Sequence, residues 1–361
     1  MANILGKRYT VHIFGQSHAP SIGAVIEGLP AGFTPDWDQV RAFMARRAPG
    51  TSALATARKE ADLPEILSGL NENGETCGAP LAMRIVNGDH HSSDYEKMKA
   101  VPRPGHADAA AFIKFGGHND IRGGGQFSGR LTAPLCFAGA LALQLLEAKG
   151  IQVKAHICEI AGIRDDALNA ASPDLSAISQ EGLAVVSSDA GKKMEEAILN
   201  ARKNCDSVGG IIECFVNGIP AGLGDPMFDG VENQLAQALF GIPGVKGVEF
   251  GAGFEAARMK GSEHNDPFCV EENQLRTKGN HHGGILGGIT TGMPLIVRMA
   301  VKPTPSIGLE QDSVNLYKNE NTPLAVTGRH DPCIVPRAVP VMEAVVACVL
   351  YDMLLEYEGG N

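Results

Sequence analysis

The stretch Arg122-Gly123-Gly124-Gly125-Gln126-Phe127-Ser128-Gly129-Arg130-Leu131 runs directly into the apolar segment Thr132–Lys149. Pro134 falls in the first turn of that segment, where its missing N–H costs nothing, and Gly150 follows the last turn. The pattern therefore predicts a helix over 132–149. Because glycines let backbone N–H groups approach a phosphate, and a helix N-terminus favours negative charge, we predict an anion site here. Arg130 would add guanidinium donors.

The rest of the chain mixes helices and strands without regular alternation. Predicted strands cover 9–14, 22–27, 211–216, 246–250 and 294–301, and predicted helices cover 36–47, 189–203, 231–239 and 339–357. The segments 48–60 and 102–125 are predicted as loops. This order favours an α+β fold over a doubly wound parallel sheet. Since no repeat or low-complexity linker interrupts the chain, we predict one domain over 1–361.

The composition restricts the class of partner. The chain has 361 residues, 44% of them hydrophobic, and a formal net charge of −10. Such an acidic protein is a poor generic binder of nucleic acid or of an anionic membrane, so cations for an anionic ligand must be gathered locally. The eight cysteines include no C-x-x-C pair, and no metal site is predicted. The first residues do not resemble a signal peptide, and charges interrupt the apolar stretch 335–355, so we expect a cytoplasmic protein.

Two segments place a histidine in a turn. Gly15–Pro20 connects two predicted strands, and we expect His18 to be exposed there and able to transfer a proton. A turn histidine that only caps backbone groups is the alternative. Arg103–Asp108 presents Arg103 beside His106, an arrangement that suits an anion next to a proton donor, although a solvated turn would also fit.

Three later segments are candidates for ligand contacts. Gly283–Gly292 has paired glycines that would pack against a planar ligand or against another strand. Lys302–Ser306 offers a cation and two hydroxyl groups, and Asp331, beside Arg329 and His330, could be an ionised carboxylate that takes a proton. Gly251–Ala256 mimics a dinucleotide-binding fingerprint, but no strand–helix–strand unit surrounds it, so we do not predict a Rossmann site.

Taken in order, these segments resemble those of the chorismate synthases over about residues 6–357. The resemblance is carried by Gly15–His18, Arg46–Gly50, Arg58–Asp62, Ser68-Gly69, Arg103–Asp108, Gly123–Arg130, Gly284–Ile289, Lys302–Ser306 and Arg329–Cys333. It implies helices sandwiched between antiparallel sheets, assembled as a homotetramer. It also implies an anti-1,4-elimination of phosphate from 5-enolpyruvylshikimate-3-phosphate, giving chorismate, with reduced FMN and no net oxidation.

The resemblance implies roles for individual residues. As catalytic residues, His18 would protonate the departing phosphate, His106 would stabilise the reduced flavin, and Asp331 would act with the flavin as a base. The substrate's anionic groups would be bound by Arg47, Arg103, Arg130 and Arg329. The flavin would be bound by Gln126, Phe127, Ser128, Gly287, Lys302, Pro303, Thr304, Pro305, Ser306 and Arg329.

The chain departs from the family pattern at several positions, which are Gln16, Ala19, Ala48, Ala53, Gln126, Phe127, Leu131 and Pro243-Gly244. Ala53 replaces an arginine that the resemblance places at an NADPH site. Because no flavin-reductase domain is visible, we expect a separate enzyme to reduce the FMN. Two other functions stay open: a flavin-dependent oxidoreductase, and a non-catalytic flavin- or phosphate-binding homologue.

Overall fold

The computed structural model describes residues 3–48, 50, 62–88, 99–271, 273–326 and 331–359. The strands are β1 Ile4–Leu5, β2 Thr10–Gly15, β3 Ser21–Glu27, β4 Glu65–Ser68, β5 Leu81–Val86, β6 Gln152–Ile160, β7 Ile163–Arg164, β8 Gly210–Asn217, β9 Val245–Phe250, β10 Phe268–Glu271, β11 Gln274–Thr277, β12 Ile285–Leu286, β13 Ile289–Thr290, β14 Leu295–Val301, β15 Gln311–Asn315 and β16 Glu320–Leu324. The helices are α1 Trp37–Arg47, α2 Asp108–Lys114, α3 Thr132–Glu147, α4 Ser188–Lys203, α5 Val231–Phe240, α6 Gly261–His264 and α7 Val335–Gly359.

Two antiparallel five-stranded sheets enclose a layer of helices. The first sheet has the order β1-β2-β3-β5-β4, and the second has the order β7-β6-β8-β14-β9. Helix α3 contacts β2, β3 and β5 of the first sheet, whereas α7 contacts β6 and β8 of the second. The predicted α+β sandwich is therefore confirmed, and the glycine-rich loop at the start of α3 lies at one end of the helix layer.

The centre of the molecule is the contact between α3 and α7. Both helices bury nearly all of their apolar side chains, in one core shared with both sheets. A Cβ added at Gly139 of α3 would lie 2.2 Å from the Cβ of Ala344 in α7. The two backbones can therefore approach this closely only because position 139 carries no side chain.

Two helices in the described part of the chain resemble membrane spans in length and composition. Gly129–Glu147 and Val335–Gly359 are long and apolar enough to cross a bilayer, but 67% and 94% of their apolar windows are buried inside the protein. Such burial is typical of core helices, because a membrane span needs an apolar surface that faces lipid. This agrees with the prediction that 335–355 does not span a membrane.

Several local predictions need correction. Ser187, not Asp189, is the N-cap of α4, and its hydroxyl accepts from the Ala190 N–H. Helix α7 begins at Val335 and keeps Pro340 in its interior, so the predicted start at 339 is too late. The segment 102–125 contains the short helix α2, and strand β6, which lies between β7 and β8, was not predicted. Most of the predicted loop over 48–60 lies outside the described residues.

Candidate active site

The glycine-rich loop brings both predicted catalytic histidines together. Gly123, Gly124 and Gly125 have φ values of 60°, 87° and 55°, in the left-handed region that favours glycine. A Cβ at Gly123 would lie 2.3 Å from the His18 Nδ1, and a Cβ at Gly124 would lie 3.1 Å from the His106 Nε2. These glycines therefore let the loop backbone lie directly against both imidazole rings.

His18 lies in the turn between β2 and β3, as predicted, but it is not exposed. Only 4% of its surface is accessible, and its Nδ1 lies 3.3 Å from the Ser17 hydroxyl. The backbone N–H of Ser17 also donates to the Gly125 carbonyl at 3.1 Å. The glycine loop thus covers this turn, a tertiary contact that local sequence rules do not contain.

His106 forms a buried cluster with its neighbours along the chain. Its Nδ1 lies 2.6 Å from the Asp108 Oδ1. The Arg103 Nε donates to the Asp108 Oδ2 at 2.7 Å, and the Arg103 Nη2 donates to Oδ1 at 2.9 Å. Although burial opposes it, hydrogen bonds from His106 and Arg103 hold the pKa of the Asp108 carboxyl well below its usual range. Arg103 is therefore held by Asp108 rather than exposed in a solvated turn.

A second buried cluster contains Arg47 and Arg130, the two other described arginines that are predicted to bind the substrate. Asp62 is fully buried, and its two carboxylate oxygens accept from the Arg47 Nη1 and the Arg130 Nη1. The Arg47 Nε also donates to the Thr132 Oγ1 at 3.0 Å, and the Arg130 Nε donates to the Asn87 Oδ1 at 3.2 Å. A carboxylate between two guanidinium groups fixes their positions while leaving the cluster with an excess of positive charge.

Asp331 lies beside an arginine to which the sequence gave no role. The Arg337 Nη1 donates to the Asp331 Oδ2 at 2.5 Å, and the Arg337 Nε donates to the Arg47 carbonyl at 2.9 Å. Burial lowers the pKa of Arg337, and the positive charge of Arg47 acts in the same direction. Arg337 thus joins the predicted base to the arginine cluster. Its place only six residues after Asp331 is the sequence signal that could have identified it.

The segment 302–306 lies against the His106 turn. The Lys302 Nζ donates to the Gly105 carbonyl, and the Arg103 Nη1 donates to the Ser306 Oγ at 3.2 Å. Burial lowers the pKa of Lys302, assisted by the nearby charge of Lys246. The structure therefore brings this predicted cofactor segment to the same side of the glycine loop as His106.

The residues at this position fit a phosphate-bearing flavin. Among the described residues, the Thr304 Oγ1 is buried and has no hydrogen-bond partner. Such a hydroxyl is costly unless a ligand or water completes its bonding. Gln126 and Phe127, in the glycine-rich loop itself, are exposed, and the Ser128 Oγ accepts from the Arg130 N–H at 3.3 Å. A cation, an incompletely bonded hydroxyl and an exposed ring are suited to a planar anionic cofactor.

Gly287 lies in a different part of the fold. It occupies the turn of the β12-β13 hairpin, where the Gly288 carbonyl accepts from the Val231 N–H at 2.9 Å. A Cβ at Gly284 would clash with the Pro294 backbone, 2.6 Å away, so this glycine serves a close strand crossing. In the part of the chain that the structure describes, the hairpin's hydrogen bonds run to 220–231 and not to 302–306. Arg329, also predicted to bind the cofactor and the substrate, lies outside the described residues.

The candidate dinucleotide fingerprint is not a Rossmann site. Strand β9 precedes it in an antiparallel sheet, and most of the fingerprint itself lies in a short 3₁₀ helix, Gly253–Arg258. The Arg298 Nη2 donates to the Gly251 carbonyl at 2.5 Å, and the Glu249 carboxylate accepts from the Phe254 N–H at 3.0 Å. The glycines here form a tight turn at the end of β9, as expected from the missing strand–helix–strand unit.

Comparisons with known proteins agree with this geometry. A family model described as "Chorismate synthase" matches residues 9–355. The chain is 47% identical to a chorismate synthase of Korarchaeum cryptofilum, over 99% of both chains. It is 48% identical to one of Dehalococcoides mccartyi, over 98% of this chain and 97% of the other. A solved structure, "Crystal Structure of Chorismate Synthase", superimposes with a TM-score of 0.77 at 27% identity, covering 98% of this chain and 94% of that one. The chain belongs to the chorismate synthase family, whose members are carbon–oxygen lyases.

Proposed function

We propose that this chain converts 5-enolpyruvylshikimate-3-phosphate to chorismate by an anti-1,4-elimination of phosphate, with reduced FMN as its cofactor. The observation that carries the proposal is the meeting of His18 and His106 at one glycine loop, next to the Arg47–Asp62–Arg130 cluster. A phosphorylated dicarboxylate needs several fixed cations, and its elimination needs a proton donor near the leaving phosphate. The chain is acidic as a whole, so this concentration of arginines is a local feature.

The substrate would be held by guanidinium groups that are already oriented. Asp62 fixes Arg47 and Arg130, and Asp108 fixes Arg103, so these groups need little reorganisation on binding. Arginine has five donors, and donors not used inside the protein can bind phosphate and carboxylate oxygens. Arg329 would complete this set.

The proton transfers would involve His18 as the donor and Asp331 as the acceptor. His18, enclosed by Ser17 and Gly123, would donate a proton to the departing phosphate oxygen. Asp331, which accepts a hydrogen bond from Arg337, would take the proton that the substrate ring loses. His106, beside the Arg103 guanidinium, would stabilise the reduced cofactor. Reduced FMN, when bound, supplies electron density to the substrate as phosphate leaves.

The cofactor would be held by 302–306 together with 126–128, with Arg329 beside them. Lys302 would bind its phosphate, and the Thr304 hydroxyl would gain the partner that it lacks within the described part of the chain. Gly287 is a weaker candidate, because its hairpin packs against 222–231. We expect a cytoplasmic enzyme that receives reduced FMN from a separate flavin reductase.

The deciding experiment is an anaerobic turnover assay. The pure protein is mixed with 5-enolpyruvylshikimate-3-phosphate and chemically reduced FMN, and chorismate, phosphate and the flavin spectrum are followed together. We expect equal release of both products without net flavin oxidation. Stoichiometric flavin oxidation would instead identify an oxidoreductase, and ligand binding without product would identify a non-catalytic homologue. NADPH consumption by the pure protein in the presence of oxidised FMN would contradict the need for a separate reductase.

We also propose that the enzyme is a homotetramer. Large apolar side chains are exposed on the β10-β11 hairpin, including Val270 with 74% of its surface accessible, together with Phe268 and Leu275. Clustered apolar groups of this kind are typical of protein–protein interfaces. Light scattering after size exclusion should give four times the mass of one chain. Val270→Asp should lower that mass, whereas Leu199→Asp on α4 should not; a monomeric wild-type protein would contradict the proposal.

A further inference from the structure

Asp108 has no role in the family assignment given above, yet it makes the shortest contact to His106. Its Oδ1 lies 2.6 Å from the His106 Nδ1, and both of its oxygens accept from Arg103. Its Oδ2 also accepts from the backbone N–H of Arg103 at 3.1 Å. The side chains of Arg103 and Asp108 are both buried, so water does not compete for the hydrogen bonds between them.

The short contact with Asp108 determines which ring nitrogen of His106 carries the proton. A carboxylate oxygen and a ring nitrogen 2.6 Å apart must share a proton, because two lone pairs would repel each other at that distance. The hydrogen bonds from His106 and Arg103 outweigh burial and keep the pKa of Asp108 low, so the proton belongs to the His106 Nδ1. The Arg103 Nη2 lies 3.1 Å from the same nitrogen and 3.4 Å from Nε2, but a guanidinium can only donate, so it cannot accept the Nδ1 proton in place of Asp108.

The opposite ring nitrogen, Nε2, is then the atom that can exchange a proton with a ligand. It lies beside Gly124, where a Cβ would come within 3.1 Å of it. We propose that Asp108 is a positioning residue, which fixes His106 in the Nδ1–H tautomer and leaves Nε2 to meet the ligand. The tautomer is a property of the free protein, whereas the contact of Nε2 with the ligand rests on the proposed function.

The substitution Asp108→Asn tests the tautomer directly. An asparagine has one acceptor oxygen, and it should take the place of the Asp108 Oδ2, where Arg103 offers two donors, its Nε and its backbone N–H. The amide nitrogen would then face the His106 Nδ1 and donate to it, so the ring proton should move to Nε2. We expect turnover to fall at least about 10²-fold, since the wrong histidine tautomer costs a serine protease about 10⁴-fold.

The measurement is an NMR spectrum of the ligand-free protein with ¹³C-labelled histidine rings, at a pH where the rings are neutral. The Cδ2 and Cε1 shifts distinguish the two tautomers, and the signal of His106 is assigned by its loss in His106→Gln. The wild-type protein should show the Nδ1–H form and Asp108→Asn the Nε2–H form. Asp266→Asn is the matched control, because Asp266 Oδ1 lies 2.9 Å from the His281 Nδ1 in another part of the fold. It should leave the His106 signal and the turnover unchanged.

An Nε2–H form in the wild-type protein would overturn the proposal, and so would an unchanged tautomer in Asp108→Asn. If Asp108→Asn did not fold, the wild-type spectrum alone would still decide whether the Nδ1–H form exists. Because the spectrum needs neither substrate nor cofactor, it is independent of the turnover assay. A correct tautomer without chorismate formation would therefore refute the proposed function and leave the role of Asp108 intact.

Discussion

Replacing Asp62 by asparagine should destabilise the protein by about 3–5 kcal/mol in the absence of ligand, the usual cost of removing one partner of a buried ion pair. The Asp62 carboxylate is the shared acceptor of Arg47 and Arg130, and all three side chains are almost completely buried. Without it, two guanidinium groups would remain in the interior with less negative charge to balance them. The free energy of unfolding, measured by chemical denaturation, tests this expectation.

Inorganic phosphate should raise the free energy of unfolding of Asp62→Asn more than it raises that of the wild type. An anion that binds between the two arginines replaces the lost charge, and binding to the folded state alone raises its stability. Glu65→Gln is a suitable control, since Glu65 pairs with Arg84 at 2.8 Å on the exposed surface. It should change the free energy of unfolding by less than about 1 kcal/mol. Equal losses in the two variants would contradict a role of Asp62 as the central counter-charge.

Replacing Asp331 by asparagine should lower the turnover number by about 10²–10⁴-fold, the usual contribution of a general base. An amide cannot accept the proton that the substrate ring loses, although it can still accept a hydrogen bond from Arg337. The apparent KM for 5-enolpyruvylshikimate-3-phosphate should change little, because the base acts in the transition state and not on binding. Steady-state kinetics under anaerobic conditions, with reduced FMN, give both values.

A kinetic isotope effect makes this test more specific. When the base is removed, cleavage of the ring C–H bond should become slower than every other step. Deuterium at that position should therefore slow the reaction of Asp331→Asn. The ratio of the rates with unlabelled and deuterated substrate should be larger for this variant than for the wild-type enzyme. Asp312→Asn, an exposed carboxylate on β15, should change neither turnover nor the isotope effect. Full turnover by Asp331→Asn would remove this residue from the mechanism.

Much of the secondary structure could be predicted because its signals are local. The helix predicted over 132–149 is observed as Thr132–Glu147, since apolar periodicity, Pro134 and Gly150 all act within a few residues. The strands at 211–216 and 246–250 are likewise found within one or two residues of their predicted bounds. The N-cap of α4 was misplaced because Ser187 and Asp189 are both good caps, and only the backbone geometry selects between them.

The motifs also identified which residues meet, but not how they are held. His18 was expected to be exposed, yet the glycine loop, more than a hundred residues away in sequence, covers it. Gly287 is predicted to bind the same cofactor as 302–306, and the structure adds that its hairpin makes backbone hydrogen bonds with 222–231. Local patterns give the conformation of a turn, whereas its burial depends on segments that reach it only in the folded chain.

The fold class, the family and the residue types that the chemistry needs could be derived from periodicity, turn residues and ordered motifs. The ionic partners became known only from the folded chain: Asp62 with Arg47 and Arg130, Asp108 with Arg103 and His106, and Asp331 with Arg337. The physical reason is that burial makes each carboxylate depend on a nearby cation, and which cation is near depends on how α3, α7 and the first sheet pack together.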